Sequence, residues 1–251
     1  MIRPSLLLIT ICFLLVSCNP GKVSVNSQKL QSDGLLANSS CTLTPGTDND
    51  PQSIQALLNY INGLPKPLEL DCFLEHLKRP LYVSATSSKD SVQAADGVKS
   101  PRIFIFKNKL IISLVPSGSG SEILEFSEMT SSTRTIKGEL TLPIYAKVMP
   151  PEPYLRINNG DRTSCSGCHK DEVFEHYSEG GAKVYSSIAF KPKSNQMVSL
   201  TSLKQEDYLC KSASSQTKRC KILKGLFSHG EVLHEDFPSG FVEMLSVFGP
   251  N

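Results

Sequence analysis

Hydrophobic residues recur at helical spacing just beyond residue 50. Asp50 and Pro51 are residue types preferred at a helix N-cap and at the first helical position. Gly63 stands where such a helix would end. We therefore predict an amphipathic helix between Asp50 and Gly63, and a shorter helical piece over residues 72–77. The buried face of the first helix would be formed by Ile54, Leu57, Leu58 and Ile61.

Between residues 81 and 145 the pattern changes to short runs of β-branched and aromatic residues. Gly, Ser, Asn and Pro separate these runs, as they separate the strands of antiparallel sheets. Lys107-Asn108-Lys109 indicates a tight turn, so the runs on either side of it predict a hairpin. We expect a small antiparallel β domain over residues 49–148, with one N-terminal helix. Its predicted strands cover residues 81–83, 102–106, 110–115, 123–126 and 135–145.

Three prolines within residues 150–153 mark a boundary, because proline fits neither a helix interior nor a central strand. Beyond this boundary the hydrophobic pattern predicts a strand over residues 183–190. Helical spacing follows over residues 203–210 and again over residues 219–227.

The N-terminus has the layout of a secretory signal. An apolar run from Leu6 to Val16 follows Arg3. The run is shorter than the about 18 apolar residues that a membrane-spanning helix needs, and it is typical of a signal peptide. We therefore predict a signal peptide over residues 1–17. Residues 18–48 are rich in Ser, Asn and Gly and are expected to form a flexible tether.

The end of this signal, Leu15-Val16-Ser17-Cys18, resembles the lipobox of bacterial lipoproteins. The resemblance implies cleavage before Cys18 and attachment of lipid to that residue, which would hold the protein at a membrane. Asn19 in place of Asp implies, by the same resemblance, the outer membrane and a site facing the periplasm. An ordinary cleaved signal with a cysteine at its end is the alternative.

The charge balance of the chain argues against a polyanionic partner. The chain has 26 Lys and Arg against 24 Asp and Glu, a net charge of +2, with no basic block. We therefore expect no nucleic-acid partner. The sequence contains no recognisable nucleophile–base pair, Gly-rich phosphate loop or paired-carboxylate motif, so hydrolysis and phosphoryl transfer are not expected.

Cys165, Cys168 and His169 form the pattern C-x-x-C-H. Two thiols three positions apart can add to the two vinyl groups of one haem, and the adjacent imidazole can bind its iron. The pattern resembles the haem-attachment site of the c-type cytochromes. The resemblance implies one covalent haem c on Cys165 and Cys168, with His169 as proximal iron ligand. It also implies a helix over residues 165–177.

The expected fold class is therefore α+β, with a mostly helical haem module over residues 154–251 after the antiparallel β domain. The strand predicted within this module departs from the all-helical small cytochromes. The expected function is that of a lipid-anchored monohaem protein that passes electrons to a redox partner which the sequence does not identify. A non-haem binding or structural lipoprotein is the alternative.

Other uses of the cysteine pair fit the sequence less well. A thioredoxin-like pair follows a strand within a βαβ unit, whereas residues 157–163 read as a polar loop. A zinc site needs a second Cys or His pair, and the spacing of His229 and His234 does not form H-E-x-x-H. A structural disulfide between Cys165 and Cys168 remains the alternative.

The sixth iron ligand decides between electron transfer and chemistry at an open iron position. His229 is preferred, because it ends the predicted helix over residues 219–227. Met197 and Met244 come next, and an open position, as in a haem enzyme or sensor, is the remaining alternative. His176 lies on the same helix face as His169 and is excluded.

Four further cysteines remain once Cys12 is removed with the signal. An even number of cysteines in an exported protein indicates disulfides, and four cysteines allow three pairings. We favour the pairing that joins neighbours within each half of the chain, and four free thiols are the alternative. The favoured pairs are Cys41–Cys72 and Cys210–Cys220.

Overall fold

The computed structural model describes residues 41–212 and 217–244. The predicted signal peptide, the lipid site at Cys18 and the tether up to residue 40 lie outside these residues. The dominant element is an eight-stranded sheet in which one pair of strands is parallel and the others are antiparallel. No helix in the described ranges is long and apolar enough to cross a membrane.

Strands are numbered in chain order, and the sheet runs β11-β1-β2-β3-β4-β5-β9-β8. Its members in that order are β11 (Val232–His234), β1 (Leu81–Thr86), β2 (Arg102–Lys107), β3 (Leu110–Leu114), β4 (Ile123–Met129), β5 (Arg134–Thr141), β9 (Lys183–Ile188) and β8 (Val173–Tyr177). Two small ribbons pair β6 (Asn158–Asn159) with β7 (Arg162–Thr163), and β10 (Phe190–Lys191) with β12 (Val242–Glu243). The helices are α1 (Ile54–Asn62), α2 (Leu70–Glu75), α3 (Glu152–Leu155), α4 (Leu200–Ser212) and α5 (Lys218–Phe227).

The predicted hairpin between β2 and β3 is confirmed. Lys107 lies opposite Leu110, and Asn108 turns the chain with a φ of 55°. Asparagine tolerates this left-handed conformation better than most residues, so the local sequence suits the turn.

Helix α1 begins three residues later than predicted. Ser53 is its N-cap, and its side chain accepts a hydrogen bond from the Ala56 amide at 3.2 Å. Asp50 instead pairs with Lys107 at 2.9 Å and with Lys78 at 3.1 Å. The carboxylate predicted to cap the helix therefore neutralises a buried lysine, while the helix ends before Gly63 as predicted.

The main hydrophobic core lies between one face of the sheet and the helices. Strands β2 and β3 contribute Ile103, Ile105 and Ile112, all fully buried. Helices α1, α2 and α5 cover them with side chains that include Leu57, Leu58, Phe73, Leu74, Ile222 and Leu226.

Two disulfides tie the helices down. Cys41 is bonded to Cys72 with an S–S distance of 2.01 Å, and Cys210 to Cys220 with a distance of 2.04 Å. These are the two pairs that the sequence analysis favours.

The expected fold class, with a mostly helical C-terminal module, is wrong. Strands β8, β9 and β11 come from the C-terminal half, yet they extend the same sheet at both edges. Strand β9 pairs with β5, and β11 pairs in parallel with β1. The described chain is therefore a β-rich fold with a few short helices.

The helix expected over residues 165–177 accounts for much of this error. A 3₁₀ turn over Ser164–Gly167 is followed by the extended strand β8. Asp171 has a φ of 56°, which interrupts a helix, and Gly180 and Gly181 have φ values of 89° and 87° in the turn that returns the chain to β9. The strand predicted over residues 183–190 and both later helices are confirmed as β9 with β10, α4 and α5.

Candidate functional site

The face of the sheet opposite the helices carries polar side chains and borders a cavity. Alternate residues of β2 to β5 point toward it, because successive side chains of a strand face opposite ways. The register places Ser113 opposite Glu125, and Glu125 opposite Glu139. The cavity measures about 160 Å³. One water needs about 10–15 Å³ by the same measure, so the cavity has room for an organic group.

Much of the remaining cavity wall is aromatic and aliphatic. Phe237 stacks edge-on against Phe104, with ring centroids 4.9 Å apart, and its ring lies 6.3 Å from that of Phe241. The apolar wall includes Phe104, Ile111, Phe126, Phe190, Phe237 and Phe241. A flat apolar group would find matching surfaces here.

The C-x-x-C-H segment enters the cavity from a short ribbon. Strand β7 of this ribbon ends at Thr163, whose hydroxyl accepts a hydrogen bond from the Cys165 amide at 3.1 Å. Glu172 holds Thr163 in turn, accepting from its amide at 2.8 Å and from its hydroxyl. The His169 amide then donates to the Cys165 carbonyl at 2.8 Å. This tight turn lets Cys165, Cys168 and His169 line the same cavity.

The two thiols of this segment are free, although the other four described cysteines are bonded in pairs. Burial raises the pKa of the Cys165 thiol, and the hydrogen bond from Thr163 and the charge of Lys137 oppose that shift. Cys165 is therefore a protonated thiol at neutral pH.

The His169 imidazole is fixed by the backbone of β9. Its Nδ1 lies 3.0 Å from the Ile188 carbonyl oxygen, and its ring packs against Phe190 at 5.1 Å. Because a carbonyl only accepts, Nδ1 carries the proton and Nε2 keeps its lone pair. Burial, with the charge of Lys137 adding to it, lowers the pKa of His169 to about 3. A neutral imidazole with Nδ1 held by a carbonyl is the arrangement typical of a metal ligand.

Six charged side chains line the cavity: Asp90, Arg102, Glu125, Lys137, Glu139 and Lys191. Three of them, Arg102, Glu125 and Glu139, have a partner of opposite charge. Arg102 is paired with Glu125, donates to Ser113 Oγ at 3.0 Å, and lies over the Phe104 ring at 4.8 Å. Glu139 is 3.6 Å from the Arg156 guanidinium. Burial raises the pKa of Glu139, and the nearby charge of Glu125 adds to that shift.

Lys137 is one of the charged side chains of the wall that have no such partner. Its ammonium donates to Ser187 Oγ at 2.6 Å and to Thr135 Oγ1 at 3.1 Å. No ion pair of the described residues includes it. Burial lowers the pKa of Lys137 to about 8. It therefore remains mostly charged at pH 7.

The candidates for the sixth iron ligand are dispersed. His229 is exposed beyond the end of α5 and is not part of the cavity wall, so the structure does not bring it to His169. Met197 pairs with Thr86 through its backbone and also lies outside the wall. Met244 lines the cavity, and its amide donates to the Lys191 carbonyl at 3.0 Å.

Sequence reasoning missed the charged wall altogether. Charged residues that alternate with apolar ones in a strand usually face solvent. The sequence pattern therefore does not mark these residues as part of a site: Arg102, Glu125, Lys137 and Glu139. A usable signal was present. Polar residues occupy the same alternate positions in four successive predicted strands, so a meander must gather them on one face.

Comparisons of the chain with protein-family models, with curated proteins and with solved structures gave no match.

Proposed function

We propose that this protein is a lipid-anchored monohaem protein of the c type that carries electrons in the bacterial envelope. The proposal rests on three side chains that line one cavity and could together bind a haem. Two unpaired thiols, Cys165 and Cys168, and the neutral imidazole of His169 line the same aromatic pocket. The lipid anchor at Cys18 rests on the lipobox resemblance.

These residues fit a covalently attached haem. Cys165 and Cys168 would form the two thioether bonds, and His169 Nε2 would bind the iron. When bound, the haem would supply an iron that gains and loses one electron. The Ile188 carbonyl keeps the proton on Nδ1 and so leaves Nε2 available as a ligand.

The surrounding apolar side chains support electron transfer at this site. Phe190 packs on the His169 ring, and Phe237 and Phe241 form part of the apolar wall of the same cavity. Side chains of this kind exclude water from a buried redox centre, and the exclusion of water is one of the factors that set its reduction potential.

We test attachment by expressing the protein together with a haem-attachment system. Wild type should keep its haem through denaturing electrophoresis, because thioether bonds survive unfolding. Cys165→Ala/Cys168→Ala should abolish the haem stain. Cys210→Ala/Cys220→Ala is the matched control, since it removes the same number of cysteines from the same half of the chain and should keep the stain. A wild-type protein without covalent haem would contradict the proposal.

Met244 is the proposed sixth ligand, because it lines the cavity and β12 holds its backbone beside β10. Met244→Ala should leave haem attached, shift the oxidised spectrum toward high spin and make the ferrous protein bind carbon monoxide. Met197→Ala, outside the wall, should change neither readout. If the wild-type ferrous protein already binds carbon monoxide freely, the position is open, and a haem sensor or enzyme becomes the better interpretation.

A further inference from the structure

Lys137 is a cation of the cavity wall that lacks a carboxylate partner within the described residues. Arg102 is paired with Glu125, and Glu139 with Arg156. The Lys137 ammonium instead donates to two hydroxyls, those of Ser187 and Thr135.

Hydroxyl groups satisfy hydrogen bonds but do not neutralise a charge. An ammonium removed from water is costly unless an opposite charge accompanies it. An ammonium has three N–H donors, and the two hydroxyls use two of them. The position therefore suits an additional anionic acceptor inside the cavity.

Lys137 is also close to the proposed attachment residues. Its charge acts on both Cys165 and His169, and Cys165, Cys168 and His169 line the same cavity as Lys137. A group held by the two cysteines would lie in the same cavity as the ammonium. Haem has two carboxylate side chains, its propionates, and is thus an anionic as well as an apolar ligand.

We propose that Lys137 binds a propionate carboxylate of the haem held by Cys165 and Cys168. This assignment rests on the proposed function. The ammonium would neutralise the carboxylate, and Ser187 and Thr135 would hold the ammonium in place. The bound haem would in turn remove the cost of the unpaired buried charge.

A positive charge near the iron favours the reduced state, because reduction adds an electron. Lys137→Met should therefore lower the reduction potential of the haem-loaded protein, and Lys137→Arg should restore most of it. Resonance Raman spectroscopy supplies a second readout, the propionate bending band. This band should shift in Lys137→Met. Lys147→Met is the matched control, because Lys147 is exposed and lies outside the cavity wall.

The outcomes separate this assignment from the proposed function. Unchanged potential and band in haem-loaded Lys137→Met would overturn the assignment while leaving the haem in place. A changed potential with an unchanged propionate band would also overturn it, and would point to a different anion beside Lys137. Absence of covalent haem from wild type would overturn both. Lys137→Gln, which keeps a hydrogen-bond donor without the charge, decides the question if Lys137→Met does not load haem.

Discussion

The two faces of the central sheet differ in composition and in what covers them. One face presents Ile103, Ile105 and Ile112 to helices that bury them completely. The other presents Ser113, Lys137 and other polar residues to a cavity that the turn containing Cys165 also lines. The same strands supply both faces, so the difference comes only from which alternate residues are apolar.

This contrast separates the source of stability from the source of binding chemistry. Burial of apolar side chains against α1, α2 and α5 stabilises the sheet. Charged side chains on the cavity face have the opposite effect, since each is partly removed from water. Because the apolar face stabilises the sheet, the opposite face can contain charged side chains that destabilise the fold but are available to bind a ligand.

The largest difference in stability is expected between substitutions at Ile112 and Ser113, adjacent residues of β3 whose side chains point to opposite faces of the sheet. Ile112→Ala on the core face should lower the free energy of unfolding by about 2–5 kcal/mol, because it leaves a cavity in packed surroundings. Ser113→Ala should cost only about 1 kcal/mol, through lost hydrogen bonds with Gln93 and Arg102. Urea unfolding measures both. Equal losses would show that the two faces contribute alike to stability.

A smaller loss of stability is expected when the pH is lowered. It should be measured in the haem-free variant Cys165→Ala/Cys168→Ala. The pKa of His169 is about 3 in the folded protein, against an ordinary value of 6.5. Between these values the unfolded state binds the extra proton, so the free energy of unfolding should fall by about 2 kcal/mol from pH 7 to pH 5. Urea unfolding at several pH values measures the slope.

The control for this acid effect is His169→Asn in the same haem-free background. The other histidines are unchanged, so the difference between the two slopes belongs to His169. Identical slopes would contradict this prediction. They would mean that burial in the cavity does not keep the His169 imidazole neutral.

The local parts of the fold could be predicted from the sequence. Alternating and β-branched runs gave β1 to β5, and the turn at Asn108 gave their first hairpin. The parallel pairing of β11 with β1 could not be predicted, because it joins distant segments through backbone hydrogen bonds that leave no local pattern. The helix over residues 165–177, which the cytochrome resemblance implied, is wrong because Asp171 has a φ of 56° and the chain beyond it is the extended strand β8.

The candidate site likewise has a part that could be predicted from the sequence and a part that could not. Cys165, Cys168 and His169 are adjacent in sequence, so their common position in the cavity follows from one tight turn. Lys137 and Met244 come from separate parts of the chain and meet the motif only through the sheet and the ribbon of β10 and β12. His229, the candidate preferred from the sequence, does not line this cavity, since the end of a helix gives no information about which segment returns to the site.

The disulfide between Cys41 and Cys72 has a mechanical consequence. Cys41 is the first described residue, and Cys72 belongs to α2, which is packed in the main core. Tension that arrives along the chain before Cys41 therefore passes through a covalent bridge directly into α2. The intervening residues, α1 among them, lie outside this load path. A pull from the N-terminal side would be resisted by the packed core before it could peel α1 away from the sheet.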